Sequence, residues 1–302
     1  MSDLAMTLTE RPVVLDGGLA TQLEAQGHDL GSALWSARLL AADPQAITDA
    51  HRAYLDAGAE VVTTASYQAS VDGFAAAGLD RDDSERLIGR SVELARRACD
   101  EAGGTHWVAG SVGPYGASLA DGSEYRGDYD RTVAELRTWH RPRIAWLVEA
   151  GADILAFETI PCLTEVEALL AEIDGSGVPV WLSLTCSGDR TRAGEPAATA
   201  YAMAAAVSEV VALGVNCSDP TDVDRLLPLA AETGKPAVVY PNSGEGWDAS
   251  ARRWVGEPAF APGLVGSWLA AGARLVGGCC RVGPAEIAAI RAAVSSAGRP
   301  PR

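Results

Sequence analysis

Three times along the chain the same six-residue junction returns: Ala57-Gly58-Ala59-Glu60-Val61-Val62, Ala150-Gly151-Ala152-Asp153-Ile154-Leu155 and Ala271-Gly272-Ala273-Arg274-Leu275-Val276. In each, a helix-spaced pattern runs into glycine and an apolar run follows. Glycine suits the left-handed position just past a helix end. An unbroken apolar run reads as a strand buried on both faces. A chain that repeats helix, glycine and buried strand is built from serial βα units.

Helix starts agree with this frame. Asp43-Pro44 supplies an N-cap and a proline at the first helical position, and Ile47, Ala50, Tyr54 and Leu55 keep helical spacing behind it. Thr164-Glu165-Val166-Glu167 reads as a capping box ahead of Leu169, Leu170 and Ile173. Eight strands are predicted, at 13–16, 60–64, 107–111, 153–158, 180–185, 211–217, 237–241 and 274–279. Length alone allows two domains of about 150 residues. Eight alternating units in 302 residues favour one closed (β/α)8 TIM barrel, an α/β fold spanning 1–302. Pro142 and Pro228 fall in helix-like stretches, so a kink or a later start is expected there.

Composition narrows the partners. The formal charge of -16 opposes docking on nucleic acid or an anionic membrane. No targeting segment or membrane span is visible, which predicts a cytoplasmic protein. In that compartment the six cysteines are expected as thiols or metal ligands, not disulfides.

The cysteines carry the strongest chemical signal. Gly277-Gly278-Cys279-Cys280 ends the eighth strand and Gly214-Val215-Asn216-Cys217 ends the sixth. Alternate barrel strands feed the same inward layer, so these two ends can meet at the barrel mouth. Adjacent cysteines in a regular strand point to opposite faces; a turn permitted by the two glycines is needed for both to reach one ion. Buried cysteine is ordinarily core packing, and Cys99, in a helical pattern, is read so. Three cysteines at same-parity strand ends instead fit a zinc site of Cys217, Cys279 and Cys280 with its fourth position open. Cys162 and Cys186 also follow strand ends and compete for the same reading.

Other chemistry is excluded or left open. His51 and His140 lie on helices, His106 below the third strand and His28 in an early loop, so no Ser-His or Cys-His pair is expected. Neither a phosphate-binding loop nor a dinucleotide fingerprint is present. Asp16 and Glu158 end the first and fourth strands. They read either as an ammonium clamp or as a helix cap and a surface charge. Long connections at 113–128 and 242–262, with Tyr115, Asp121, Glu124, Tyr125, Asp128, Glu245, Trp247 and Trp254, are expected to cover the mouth.

With these residues on the page, the chain resembles the homocysteine S-methyltransferases, and within them the bacterial and plant enzymes that use S-methylmethionine. The matching segments are Asp16-Gly17-Gly18-Leu19-Ala20-Thr21, Thr64-Ala65-Ser66-Tyr67-Gln68, Gly110-Ser111-Val112-Gly113-Pro114-Tyr115-Gly116 and Asp121-Gly122-Ser123-Glu124-Tyr125, with Glu158-Thr159, Gly214 to Cys217, Tyr240 to Glu245 and Gly277 to Cys280. They cover nearly the whole chain. The resemblance implies zinc on Cys217, Cys279 and Cys280, with the amino group of homocysteine on Asp16 and Glu158. It implies a carboxylate site near Gly17, Thr64 and Ser66, with Asn216 among the substrate contacts. Homocysteine sulfur is expected as the fourth zinc ligand, attacking the methyl group of a sulfonium donor. Tyr67-Gln68 differs from the aromatic pattern of the betaine-using branch, and Cys162 after Pro161 departs from the family pattern.

Overall fold

The structure is a computed structural model that describes residues 3–30, 38–248, 253–260 and 263–297, with the backbone alone at 246–248 and 253–254. Eight parallel strands form one sheet: β1 Val13–Val14, β2 Val61–Thr63, β3 Trp107–Val112, β4 Ile154–Ile160, β5 Val180–Leu184, β6 Val210–Asn216, β7 Ala237–Tyr240 and β8 Ala273–Val276. Each pairs with its sequence neighbours and β1 pairs with β8. A parallel bridge between Leu15 and Val61 closes the ring between β1 and β2. This is the expected (β/α)8 barrel, and each predicted strand is present within a few residues of its predicted ends.

Two apolar layers hold it. The inner one stacks Val13, Leu15, Val61, Trp107, Ala109, Ile154, Ala156, Trp181, Ala212, Val238 and Leu275 inside the barrel. Leu4 and Leu8, from the helix Leu4–Glu10, join that inner cluster. The N-terminal helix therefore packs against the barrel interior. The outer layer sets alternate strand residues such as Val14, Val62 and Val108 against the helices. Burying a branched apolar side chain contributes about 1.5–3 kcal/mol before entropy is counted.

The repeated glycines stand where the sequence puts them. Gly58, Gly151 and Gly272 have φ of 100°, 87° and 104°. These are left-handed positions that let each helix hand over to β2, β4 and β8. Asp43 caps the helix Pro44–Asp56, accepting from the Ala46 amide. Both prolines lie inside continuous helices, Val133–Glu149 and Val223–Ala231. The capping-box reading of Thr164 is corrected. That helix runs Leu163–Ile173 with Cys162 at its N-cap. Glu165 is drawn away because its carboxylate is buried and accepts from the Tyr115 amide, Tyr129 Oη and His140. The true capping box is Thr132 with Glu135. Among the described residues no helix is long and apolar enough to cross a membrane.

Candidate active site

At the C-terminal mouth of the barrel lies a cavity of about 120 Å³. Its walls include Asp16, Gly17, Thr64, Tyr67, Glu124, Tyr125, Glu158, Tyr240, Cys217, Cys279 and Cys280. The sulfur atoms of Cys217, Cys279 and Cys280 all lie within 4.8 Å of one another. Cys162 and Cys186 are buried elsewhere and do not join this group.

The route by which the sulfurs meet differs from strand parity. β6 ends at Asn216, which pairs with the inward Tyr240. In parallel register, paired residues face the same way, so Asn216 is the inward residue and Cys217 would face out. Cys217 adopts φ of 45° instead, and this left-handed turn carries it back to the mouth. The glycines before Cys279 also act differently from expectation. Neither has a positive φ; the left-handed residue is Arg281, with φ of 66°. Gly277 and Gly278 are needed for close approach. A Cβ on Gly277 would meet the Asp16 carbonyl oxygen at 2.6 Å, and one on Gly278 would meet Val282 at 2.0 Å. The Asp16 and Cys279 loops thus lie backbone to backbone, stapled by Tyr54, whose hydroxyl contacts the Gly18 and Val282 carbonyl oxygens at 2.7 and 3.2 Å.

Cys217 and Cys279 are joined as a disulfide, with Cα atoms 5.6 Å apart, and Cys280 is a free thiol. The expectation that no cysteine would be paired is corrected here. The reason is geometric: the loops that gather sulfurs for a metal also give two of them the Cα spacing of a disulfide. The reduced trio fits a soft cation through its donor set of three sulfurs. Burial pushes the Cys280 thiol up to about 12. A thiol held that high is not a thiolate at neutral pH unless a cation stands beside it.

The two carboxyls are placed as a pair. Asp16 is fixed by the Thr63 amide at 2.7 Å and the Thr63 hydroxyl at 2.8 Å. Glu158 accepts from the Ser111 hydroxyl and is hydrogen-bonded by Tyr240. Burial raises Asp16 to about 8, and the charge of Glu158 adds to the rise. Burial likewise raises Glu158 to about 7 against its hydrogen bonds. Two buried carboxyls that repel each other favour a cation between them.

The remaining expected contacts divide. Thr64 lines the cavity, whereas Ser66 and Asn216 stand behind it. Ser66 Oγ donates to the Ser111 carbonyl at 2.7 Å, so Thr64 Oγ1 is the donor in their 2.7 Å contact. Thr64 Oγ1 also accepts from the Ser111 amide. Neither hydroxyl keeps a free proton for a substrate carboxylate. Asn216 is bonded at both ends of its amide to Thr159, at 2.7 and 2.8 Å. It fixes a residue with φ of 60° directly after Glu158.

Of the long loops, Glu124 and Tyr125 reach the cavity. Tyr125 is hydrogen-bonded to Cys280. Tyr115 packs edge-on against Tyr129 and Trp139 instead, and Asp121, Asp128 and Glu245 serve Ser123, Arg126 and Arg281. Trp247 and Trp254 pair across a short hairpin; their side chains lie outside the described residues. Sequence reasoning missed Tyr67 and Tyr240 as wall residues, although both lie in the quoted motifs. The histidine reading holds for the buried pair: His140 is bonded to Glu165, and His51 is buried on its helix and held down to about 4 by burial.

Residues 13–294 match the family described as homocysteine S-methyltransferase. The chain belongs to that family. It is 47% identical to the homocysteine S-methyltransferase of Escherichia coli K12, over 93% of this chain and 94% of the relative. It is 43% identical to a selenocysteine Se-methyltransferase of Brassica oleracea var. italica, over 92% and 87% of the two chains. Its fold is similar to the metallated form of the E. coli homocysteine methyltransferase MmuM, with a TM-score of 0.83, 44% identity and coverage of 93% and 96%. An oxidized form of the same enzyme is similarly close, with a TM-score of 0.84. The family makes the protein a methyltransferase that acts on homocysteine. The metallated form of its relative accords with a metal on the cysteine cluster.

Proposed function

We propose that the enzyme moves a methyl group from a sulfonium donor, S-methylmethionine, to homocysteine, with zinc held by Cys217, Cys279 and Cys280. The observation that carries this reading is one cavity holding three convergent sulfurs beside two buried carboxyls. Zinc held by these three sulfurs would supply the charge that keeps the homocysteine thiol as a thiolate at neutral pH. Asp16 and Glu158 take its ammonium. Its carboxylate lies against the chain at Gly17 and Thr64, and the Gly17 amide is the donor there, because the Thr64 amide is taken by the Ala109 carbonyl and the nearby hydroxyls are spent. Ser66 and Asn216 hold those contacts in place from behind. The leaving group is a neutral thioether, so no proton must be delivered to it. That agrees with a cavity wall that contains no histidine.

The deciding assay offers homocysteine with S-methylmethionine, S-adenosylmethionine or betaine, with and without a zinc chelator. Turnover is expected to be fastest with S-methylmethionine and to stop with the chelator. Preference for betaine, or indifference to chelation, overturns the reading. The similarity to a selenocysteine Se-methyltransferase recommends selenocysteine as a second acceptor in the same assay.

The clamp has its own test. Methionine, the product, brings an ammonium but no thiol proton, and its ammonium stays charged between pH 6 and 8. Protons compete with it for Glu158 and Asp16, which are raised to about 7 and about 8. Its Kd is therefore expected to rise as pH falls, approaching about tenfold per unit for each carboxyl once below its pKa. Calorimetric titration checks this; a Kd that stays flat from pH 8 to 6 removes the clamp. Glu158→Ala is expected to weaken homocysteine binding while zinc stays bound, and unchanged affinity would tell against it.

A further inference from the structure

One carboxylate in the cavity is left over once homocysteine is placed. Glu124 is 5% exposed and lines the same cavity as the three cysteines. Its Oε2 is buried and has no hydrogen-bond partner. An unpaired buried carboxylate oxygen is unfavourable unless a cation or donor arrives. Arg126 acts on it electrostatically, but that guanidinium is bonded to Ser123 and paired with Asp121 and Asp128. Glu124 in turn acts on the Cys280 sulfur and on the hydroxyls of Tyr67 and Tyr125. It therefore stands on the sulfur side of the cavity, beside two half-buried tyrosines that line the same wall.

We propose that Glu124, with Tyr67 and Tyr125 beside it, binds the positively charged sulfur of the methyl donor and selects sulfonium over neutral thioether. The inference rests on the proposed sulfonium donor. Its position follows from the reaction. The methyl group must pass to a sulfur held at the cysteine trio, so the donor sulfur has to lie one methyl group away from that sulfur, in the cavity that Glu124 lines. The homocysteine ammonium is already matched by Asp16 and Glu158, so Glu124 meets the one remaining cation near the reacting atoms. The tyrosine rings add favourable faces for that cation.

The electron balance dictates the kinetic signature. A carbon–sulfur bond forms to the homocysteine thiolate, and the carbon–sulfur bond to the donor breaks. Its electron pair returns to the donor sulfur, which becomes a neutral thioether. Positive charge on that sulfur fades through the transition state, so a carboxylate beside it stabilises bound donor more than the transition state. Removing it should raise KM for the donor and leave kcat unchanged or slightly higher.

The test is Glu124→Gln in the zinc-loaded enzyme. KM for S-methylmethionine is expected to rise about 30-fold or more, with kcat within about threefold. Zinc content and methionine affinity should match the parent. Dimethylsulfonioacetate, a sulfonium with no amino group, should lose the same factor. Glu124→Asp, which keeps the charge on a shorter arm, should recover part of the loss and guards against a folding defect in the glutamine variant. An unchanged KM for S-methylmethionine overturns the proposal. So does a loss confined to the amino-acid donor, which would place Glu124 at the ammonium. Absence of turnover by the parent with any sulfonium sinks the donor reading itself, and this inference with it.

Discussion

Alanine at Cys217, Cys279 or Cys280 is expected to abolish zinc binding and to lower methyl transfer by at least about 10⁴-fold. Each substitution removes a sulfur from a cluster whose members lie within 4.8 Å of one another. Two ligands do not make a stable three-thiolate site. Without the metal, homocysteine also loses the anchor for its sulfur. A free thiol of pKa near 8.5 is only a few per cent ionised at neutral pH, which accounts for about one to two orders of magnitude. Loss of positioning between the two sulfurs supplies the rest, since well-oriented reacting groups are worth several orders of magnitude. Metal content by mass spectrometry and a methionine-forming assay read both effects. Cys186→Ala is the matched control. Cys186 is buried outside the trio, with its amide bonded to Ser218, so zinc and turnover should persist there. A zinc-loaded, active Cys217→Ala enzyme would remove the metal assignment.

How much of this could be read from residues alone depends on whether the signal was local. The glycines at 58, 151 and 272 were legible because a left-handed φ after a helix leaves a local trace, and the three spacings then fixed the serial βα plan. The cysteines were legible for a similar reason, since their chemistry is peculiar to them. The turn that unites them was not. Parity alone sends Cys217 outward, and its positive φ is imposed by the loop after Asn216, which no pattern announces. Thr64, Ser66 and Asn216 are expected at the site through resemblance, and their hydrogen bonds give two of them a place behind the wall. Residues such as Tyr67 and Tyr240 carry no local mark that separates a cavity wall from a core. Asp16 and Glu158 lay between the two cases: position suggested a clamp, while only the fold could show that both are buried in one cavity.

Arg143 is the largest effect that the sequence hid, because an arginine on an outer helix reads as a solvated face. It is 2% exposed. Its Nη1 donates to the Gly113 carbonyl at 3.0 Å, and its Nη2 to the carbonyls of Ser66 and Tyr67 at 3.1 and 2.9 Å. The guanidinium lies 5.0 Å from the Trp139 ring. Burial lowers it to about 10, with Glu165 opposing the fall, so it stays charged at neutral pH. One planar fork thus ties the loop after β2 to the loop after β3. Those loops carry Thr64, Tyr67 and, farther on, Glu124. Arg143→Ala leaves three carbonyls without their donor and is expected to cost about 3–5 kcal/mol of stability. Displacement of the loops by about an ångström should lower kcat/KM about 100-fold or more, even at temperatures where the variant is fully folded. Arg143→Lys keeps the charge but lacks the fork, so it should recover stability better than activity. Thermal unfolding and low-temperature kinetics separate the two. If Arg143→Ala keeps parental kcat/KM well below its melting point, the residue supports the fold alone and does not position the site.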